Sequence, residues 1–244
     1  MRILITNDDG INSVGIKTIA DALSKEHEVY VIAPSTQRSA TGHGITLHNP
    51  VTYTRLSSEK YKLRISVDGT PADCVKLAVL YFMKDGLPDL VISGINEGSN
   101  LGSEVIYSGT VSAALEGAYL RIPSIAISNA DRNFAEGYEL ASALLCENLE
   151  RFLAINLPPY TALNINYPPQ KAKGLKATEI AINRYTDSYE KVGENGLLIG
   201  GLPDLEGMSE NTDVKALEKG YATVSVVTLN KNDYKYMEIL KGSI

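Results

Sequence analysis

The sequence has little with which to build a thiol- or imidazole-based site. Two cysteines, Cys74 and Cys146, and three histidines, His27, His43 and His48, occur in 244 residues. Neither type shows metal-ligand spacing, which excludes a structural zinc site and a histidine-rich metal centre. Both cysteines fall in apolar helical patterns and read as buried, reduced thiols. Basic charge is also short. The 23 Lys and Arg against 29 Asp and Glu leave a formal charge of −6, so no broad basic face is expected and duplex nucleic acid is not a partner. No apolar run approaches ~18 residues, so neither a membrane span nor a membrane partner is expected. The opening Met1-Arg2-Ile3-Leu4-Ile5-Thr6 turns polar too soon for a signal peptide, and a cytoplasmic location is the default expectation. Absent too are the Gly-x-x-x-x-Gly-Lys-Ser/Thr phosphate loop and the Gly-x-Ser-x-Gly nucleophile elbow.

What is present is an ordinary globular composition, 44% apolar and 21% charged, long enough to bury a sizeable core. Short apolar runs alternate with amphipathic segments. Ile3-Leu4-Ile5, Val29 to Ala33, Leu90 to Ser93 and Ser124 to Ile127 read as buried strands. Ile16, Ile19, Ala20 and Leu23 recur at helical spacing. β-Branched runs separated by helices predict a doubly wound, Rossmann-like α/β domain with a mostly parallel sheet. Thr70-Pro71-Ala72-Asp73 marks a helix start, and the helix through about Met83 is apolar nearly all round, which predicts deep burial. Further helices are expected over about 111–119 and 134–154. Tyr61, Leu63, Ile65 and Val67 alternate with polar residues, predicting an antiparallel strand paired with residues 51–55. Residues 1–182 are expected to form the catalytic domain. Residues 183–244 extend it with a projecting β arm to about 211, a short helix near 213–219, a strand over 221–229 and a final helix near 233–240.

Ligands of parallel α/β sheets bind at the carboxyl ends of the strands. After the first strand comes Asn7-Asp8-Asp9-Gly10. Adjacent carboxylates repel, so Asp8 and Asp9 call for a cation among oxygen ligands, which suits Mg²⁺ or Mn²⁺; an Asp/Gly turn capping the next helix uses the same residues. After the second strand, residues 34–44 form a polar loop. Arg38 could pair with a phosphate, Ser39 could supply an oxygen ligand and His43 could protonate a leaving oxygen, although a surface loop of self-contained hydrogen bonds fits equally. Asn96, one turn beyond the third strand, could face the same cation, and Gly94 with its neighbouring glycines permits close backbone approach. Ser108-Gly109-Thr110 precedes a helix whose first N–H groups could cradle a phosphate, or serves only as its cap. Asn12, Arg38, Gly94, Ser108, Gly109 and Thr110 are thus the candidate phosphate or substrate contacts.

Five ordered motifs resemble one family. They are Asn7-Asp8-Asp9-Gly10-Ile11 with Gly15-Ile16; Ala33-Pro34 with Arg38-Ser39 and Gly42-His43; Gly69 through Val75; Ser93-Gly94-Ile95-Asn96 with Gly98 and Asn100; and Tyr107 through Gly117. The likeness returns at Thr212-Asp213 and Gly220-Tyr221. Together these resemble the survival protein SurE family of 5′/3′-nucleotidases, while residues 187–201 lack the Pro-Arg-Gly and aromatic run of many members. The resemblance implies hydrolysis of nucleoside monophosphates. It also implies one divalent cation per subunit, Mg²⁺ or Mn²⁺, held by Asp8, Asp9, Ser39 and Asn96, and a homodimer or homotetramer joined through the C-terminal region. Two rivals remain at this stage. One is a phosphatase with Asp8 as covalent nucleophile; the other is a nucleotide-sensing module without turnover.

Overall fold

The structure, a computed structural model, describes residues 1–182, 184–186, 188–201, 203–204 and 206–243. Of the arm positions, Asn183, Asp187, Leu202 and Leu205 lie outside the described residues. In chain order the first half comprises β1 (Arg2–Thr6), α1 (Val14–Leu23), β2 (Glu28–Pro34), β3 (Thr52–Arg55), β4 (Leu63–Asp68), α2 (Pro71–Leu77), β5 (Leu90–Glu97) and α3 (Gly109–Tyr119). Then come β6 (Ser124–Asn129), α4 (Glu136–Leu153), β7 (Thr161–Tyr167), β8 (Leu175–Ala177), α5 (Asp213–Glu218), a penultimate strand and a final helix, with the arm between β8 and α5. The arm holds β9 (Arg184–Tyr185), β10 (Ser188–Val192), β11 (Gly196–Gly200) and β12 (Pro203–Asp204); the closing pair are β13 (Ala222–Thr228) and α6 (Tyr234–Lys241).

Nine strands form one sheet in the order β3-β4-β2-β1-β5-β6-β7-β13-β8. The strands from β4 to β7 run parallel. β3 pairs antiparallel to β4, with Thr54 opposite Ser66, as the alternation predicts. The strand order explains where the site must be. The chain leaves β1 toward β2 and β4 on one side, then returns to β5 on the other. β1 and β5 therefore flank the topological switch point, where the connections diverge and leave a crevice above the carboxyl ends.

Alternation along the strands divides the core between two faces. Ile3 and Ile5 point toward α1 and α4, packing with Ile16, Ile19, Leu145 and Phe152. Leu4 points the other way, into a layer with Ile32 of β2 and with Cys74, Val75 and Ala113 from α2 and α3. Thr70 caps α2 through a reciprocal box with Asp73, as its sequence predicts. α2 then widens into a π-type turn over Ala78–Phe82. Here deep burial fails: Leu80 and Tyr81 are exposed, because the wider turn rotates them off the face that α2 packs on the sheet.

The far side of the sheet holds β7, which the hydrophobic pattern did not announce, and β13, the strand expected over 221–229. β7 alternates Leu163 and Ile165 with Asn164 and Asn166, all buried. Their side-chain amides meet at one residue: the Asn100 carbonyl accepts from both, at 2.9 and 3.1 Å. β13 lies between β7 and β8, so the C-terminal segment completes the central sheet. Within the arm, β10 and β11 form an exposed hairpin. Cys74 is buried and Cys146 half-buried, and both are free thiols. Among the described residues no helix is long and apolar enough to cross a membrane.

Asp213, fully buried at the start of α5, ties these parts together. Its carboxylate accepts from the backbone N–H of Gly102 at 2.9 Å and of Ala181 at 3.0 Å. Asp213→Ala leaves both amides without an acceptor in a dry site, and a loss of about 3 kcal/mol is expected. Urea titration checks this; an unchanged midpoint would show that water replaces the carboxylate.

Candidate functional site

The turn after β1 is held in shape by Asn7, a fully buried residue. Its Oδ1 accepts from Gly10 N at 3.2 Å, and its Nδ2 donates to Gly10 O at 3.1 Å and to Ser13 Oγ at 2.8 Å. The turn that results gives Asp8 and Asp9 different partners. Asp8 is buried, and its carboxylate sits on the N-terminus of α3. Thr110 donates both its hydroxyl and its backbone N–H to Asp8. A Cβ on Gly109 would come within 2.8 Å of the Asp8 Cβ. The close approach of Asp8 is thus one reason that position 109 carries no side chain.

Asp9 turns toward β5, where its Oδ2 accepts from Glu97 N at 2.9 Å. Desolvation raises the Asp8 carboxyl above its usual range, against the lowering effect of the Thr110 hydrogen bonds. Desolvation and the nearby charges of Asp8 and Glu97 push Asp9 up to about 6. Among the described residues neither carboxylate forms an ion pair with a base, and no group of three His, Cys, Asp or Glu side chains converges on a metal position. A cation held here would rely on Asp8 and Asp9 with neutral oxygens. Asn96 fits that requirement: its Nδ2 donates to Gly98 O at 2.8 Å, which leaves its carbonyl oxygen as the atom available to a ligand.

β5 continues past Ser93 to Glu97, with a register shift against β6 between Ser93 and Asn96. Asn96 therefore lies within the strand rather than a turn beyond it. Gly94 is buried in the bulge, and a Cβ there would fall 2.2 Å from Ile127 O. Its missing side chain serves sheet packing, which corrects its reading as an open approach to substrate.

The loop after β2 meets the first turn through Arg38, whose N–H donates to Asp8 O at 2.7 Å. This places exposed Ser39 one residue from the Asp8 backbone contact. The Arg38 guanidinium pairs with Asp68 at 2.6 Å on a partly exposed surface, an ion pair weak enough to exchange for another anion. His43 reaches α3: its Nε2 meets Glu116 Oε2 at 2.8 Å. Glu116 is seven residues beyond Gly109, roughly 10 Å along α3. Ser108 is the N-cap of α3, its Oγ accepting from Val111 N at 3.0 Å, and its hydroxyl proton is still available to a ligand. Asn12 accepts from Arg64 Nη2 at 2.9 Å.

Beside Asp9 a cleft of about 520 Å³ is bordered by Asn12, Gln37, Glu97, Arg132 and Tyr138. Desolvation and the charges of Glu97 and Asp9 push the Tyr138 phenol up to about 12, so at neutral pH it keeps its proton. Gln37, Arg132 and Tyr138 carry no motif that would single them out in sequence; only the fold brings them to Asp9. A more apolar cleft of about 360 Å³ opens at the opposite edge, near Leu90, Ser124 and Thr161. Those residues start or lie near the starts of their strands, whereas ligands of such sheets bind at the strands' ends.

Comparison with known proteins identifies the family. Residues 3–187 match the family described as survival protein SurE. The 5′-nucleotidase SurE of Pelotomaculum thermopropionicum is 44% identical, over 99% of this chain and 94% of that protein. The 5′-nucleotidase SurE of Kosmotoga olearia is 41% identical, over 100% of this chain and 98% of its own. The crystal structure of the SurE protein from Aquifex aeolicus superposes with a TM-score of 0.86 at 35% identity, covering 99% of this chain and 98% of the other. With the family description spanning most of the chain and full-length relatives above 40% identity, the chain belongs to the survival protein SurE family.

Proposed function

We propose that this chain is a 5′-nucleotidase that hydrolyses nucleoside monophosphates with the help of one divalent cation, Mg²⁺ or Mn²⁺. The observation that carries the reading is the Asp8–Asp9 pair, desolvated at the switch point with no ion-paired base among the described residues. Two such carboxylates repel each other unless a cation or a proton lies between them and other ligands. The relatives are 5′-nucleotidases by name, which supplies the reaction class. Any action on 3′-monophosphates is part of the same proposal.

On this reading Asp8, Asp9 and Asn96 hold the cation, with Ser39 reaching it from the loop after β2. When bound, the cation withdraws charge from the phosphoryl oxygens and orients water. The chain's own groups do the rest. Ser108 donates its hydroxyl to a phosphoryl oxygen. Arg38 exchanges Asp68 for the phosphate. Thr110 keeps Asp8 fixed, and Asn12 and Tyr138 face the cleft beside Asp9, where the nucleoside lies. The exposed apolar residues of α6, among them Met237, Ile239 and Leu240, and of the β10–β11 hairpin support assembly into a homodimer or homotetramer through the C-terminal region.

Release of phosphate from a nucleoside 5′-monophosphate is expected to stop with chelator and return with Mg²⁺ or Mn²⁺. Asp8→Asn is expected to lower turnover by about 10²-fold or more with the fold intact. Full activity after exhaustive chelation sinks the metal reading, and binding of nucleotide without phosphate release sinks the enzymatic one.

The raised Asp9 carboxyl has a consequence for stability. In the metal-free protein the folded state holds its proton up to about pH 6, whereas the unfolded chain loses it near 4. Between these values the native state binds more protons, so raising the pH destabilises it. Asp9→Asn is therefore expected to raise the melting temperature of the metal-free protein at pH 8 and to leave it unchanged at pH 3. A lower melting temperature at pH 8 would show that Asp9 is compensated by a base.

Ser108→Ala tests two roles at once. Loss of the α3 cap is expected to cost ~1 kcal/mol of stability. Loss of a donor to phosphate is expected to lower kcat/KM by roughly 10- to 100-fold. Denaturant midpoint and phosphate-release kinetics on one sample separate them; lost stability with normal kinetics leaves Ser108 a cap alone.

A further inference from the structure

Glu116 is a buried carboxylate in the middle of α3, on the helix whose first turn holds Asp8. Two bases from separate elements reach it: His43 Nε2 from the loop after β2, at 2.8 Å, and Lys76 Nζ from α2, at 2.8 Å. Burial alone would push this carboxyl up, but the hydrogen bonds and charges of His43 and Lys76 outweigh it and hold the group below its usual range. Removing either base would leave part of a buried negative charge uncompensated, so the carboxylate holds both partners in place.

The partner that needs fixing is the loop. Between Pro34 and Thr46 the chain forms no strand or helix. Its start is tied by Arg38 N to Asp8 O, at 2.7 Å, and its end by Thr46 N to Asp73 Oδ1, at 2.9 Å. Between these ends the backbone is tacked down twice, by Gly42 N to Tyr107 O at 3.1 Å and by Thr70 Oγ1 to Gly44 O at 2.8 Å. Between those two points His43 plants its side chain on Glu116. Arg38 and Ser39, the residues this loop would bring to the phosphate and cation, lie five and four positions away.

We infer that Glu116 is a positioning residue, and that His43 is the anchor by which it holds the Arg38–Ser39 loop over Asp8, not a proton donor to the leaving group. The geometry separates the two roles. Glu116, six residues beyond Thr110 on α3, engages the Nε2 of His43, so that nitrogen is already bonded and is not free to protonate a leaving oxygen. The anchoring does not depend on the proposed phosphatase reaction; only its kinetic consequence does.

The test uses the full chain with His43→Ala and with His43→Gln, whose amide nitrogen can replace Nε2 toward Glu116. Amide hydrogen exchange over residues 38–44 is followed beside hydrolysis of adenosine 5′-monophosphate, a poor leaving group, and p-nitrophenyl phosphate, a good one. His43→Ala is expected to speed exchange in the loop and to raise KM about tenfold for both substrates, the scale of one hydrogen bond to a charged group. Turnover should stay within about twofold, and His43→Gln should restore both readouts. Unchanged exchange in His43→Ala overturns the anchor. A kcat loss confined to the nucleotide and not rescued by His43→Gln overturns it too and makes His43 the proton donor. If the unmodified chain releases phosphate from neither substrate, the phosphatase reading fails while the exchange result still decides the anchor.

Discussion

The seating of the Asp8 carboxylate on the N-terminus of α3 is the contact on which the rest of the site depends. Burial opposes the charge, while the Thr110 amide and hydroxyl favour it. The positive end of the helix adds to this, since its first-turn N–H groups have no intrahelical partner. A helix can approach a carboxylate this closely only without a Cβ at its first position, which is why Gly109 stands there. The contact joins β1 to α3 across the crevice between β1 and β5. Through Arg38 N it also captures the loop after β2. Three strand-end segments thus share one residue as their common point.

The loops around that point owe their shapes to buried polar side chains more than to apolar packing. Asn7 closes the turn after β1 with three hydrogen bonds. Asn100 joins the loop after β5 to β6 through Ser128 and to β7 through Asn166. Asp73 caps α2 and also accepts from the Thr46 amide and hydroxyl. Asp213 binds Gly102 and Ala181. Irregular backbone leaves N–H and C=O groups that a dry interior cannot satisfy. Each of these residues supplies the missing partner, and in doing so makes the loop an extension of the sheet. Such networks are costly to break in part, which suits segments that must hold a ligand geometry.

This division explains what was legible in the sequence. β1, β2 and β6 are apolar runs ending in polar turns, and the cap before α2 is a local pattern of four residues; both rest on interactions between near neighbours. The aspartate pair was legible for the same reason, since it follows the first strand directly. Glu116 was not, because a glutamate in a helix reads as a solvated face, and its partners are 73 and 40 positions away. β7 escaped because its asparagines imitate a half-exposed strand; their burial depends on Asn100, 64 and 66 residues distant. Gly94 reads as the end of a strand but permits a bulge within one. Leu80 and Tyr81 read as core because periodicity cannot register the widening of a helical turn.

The same contact bears on how an acidic chain could recognise an anion. A free helix N-terminus attracts phosphate, but here the N–H of Thr110 already serves Asp8. An approaching phosphate meets two carboxylates with Glu97 beside Asp9, against which stand Arg38, engaged with Asp68, and Arg132, 3.6 Å from Glu97. The local field is therefore unfavourable to an anion until positive charge is added. Protonating Asp9 removes one negative charge, and a divalent cation adds two positive ones. The cation is the larger of the two changes, and unlike protonation of Asp9, which is favoured only up to about pH 6, it does not need an acidic solution. On the proposed reading, phosphate recognition and cation binding are one requirement: the α3 N-terminus stabilises the carboxylate that holds the cation, and the cation in turn makes the site attractive to phosphate.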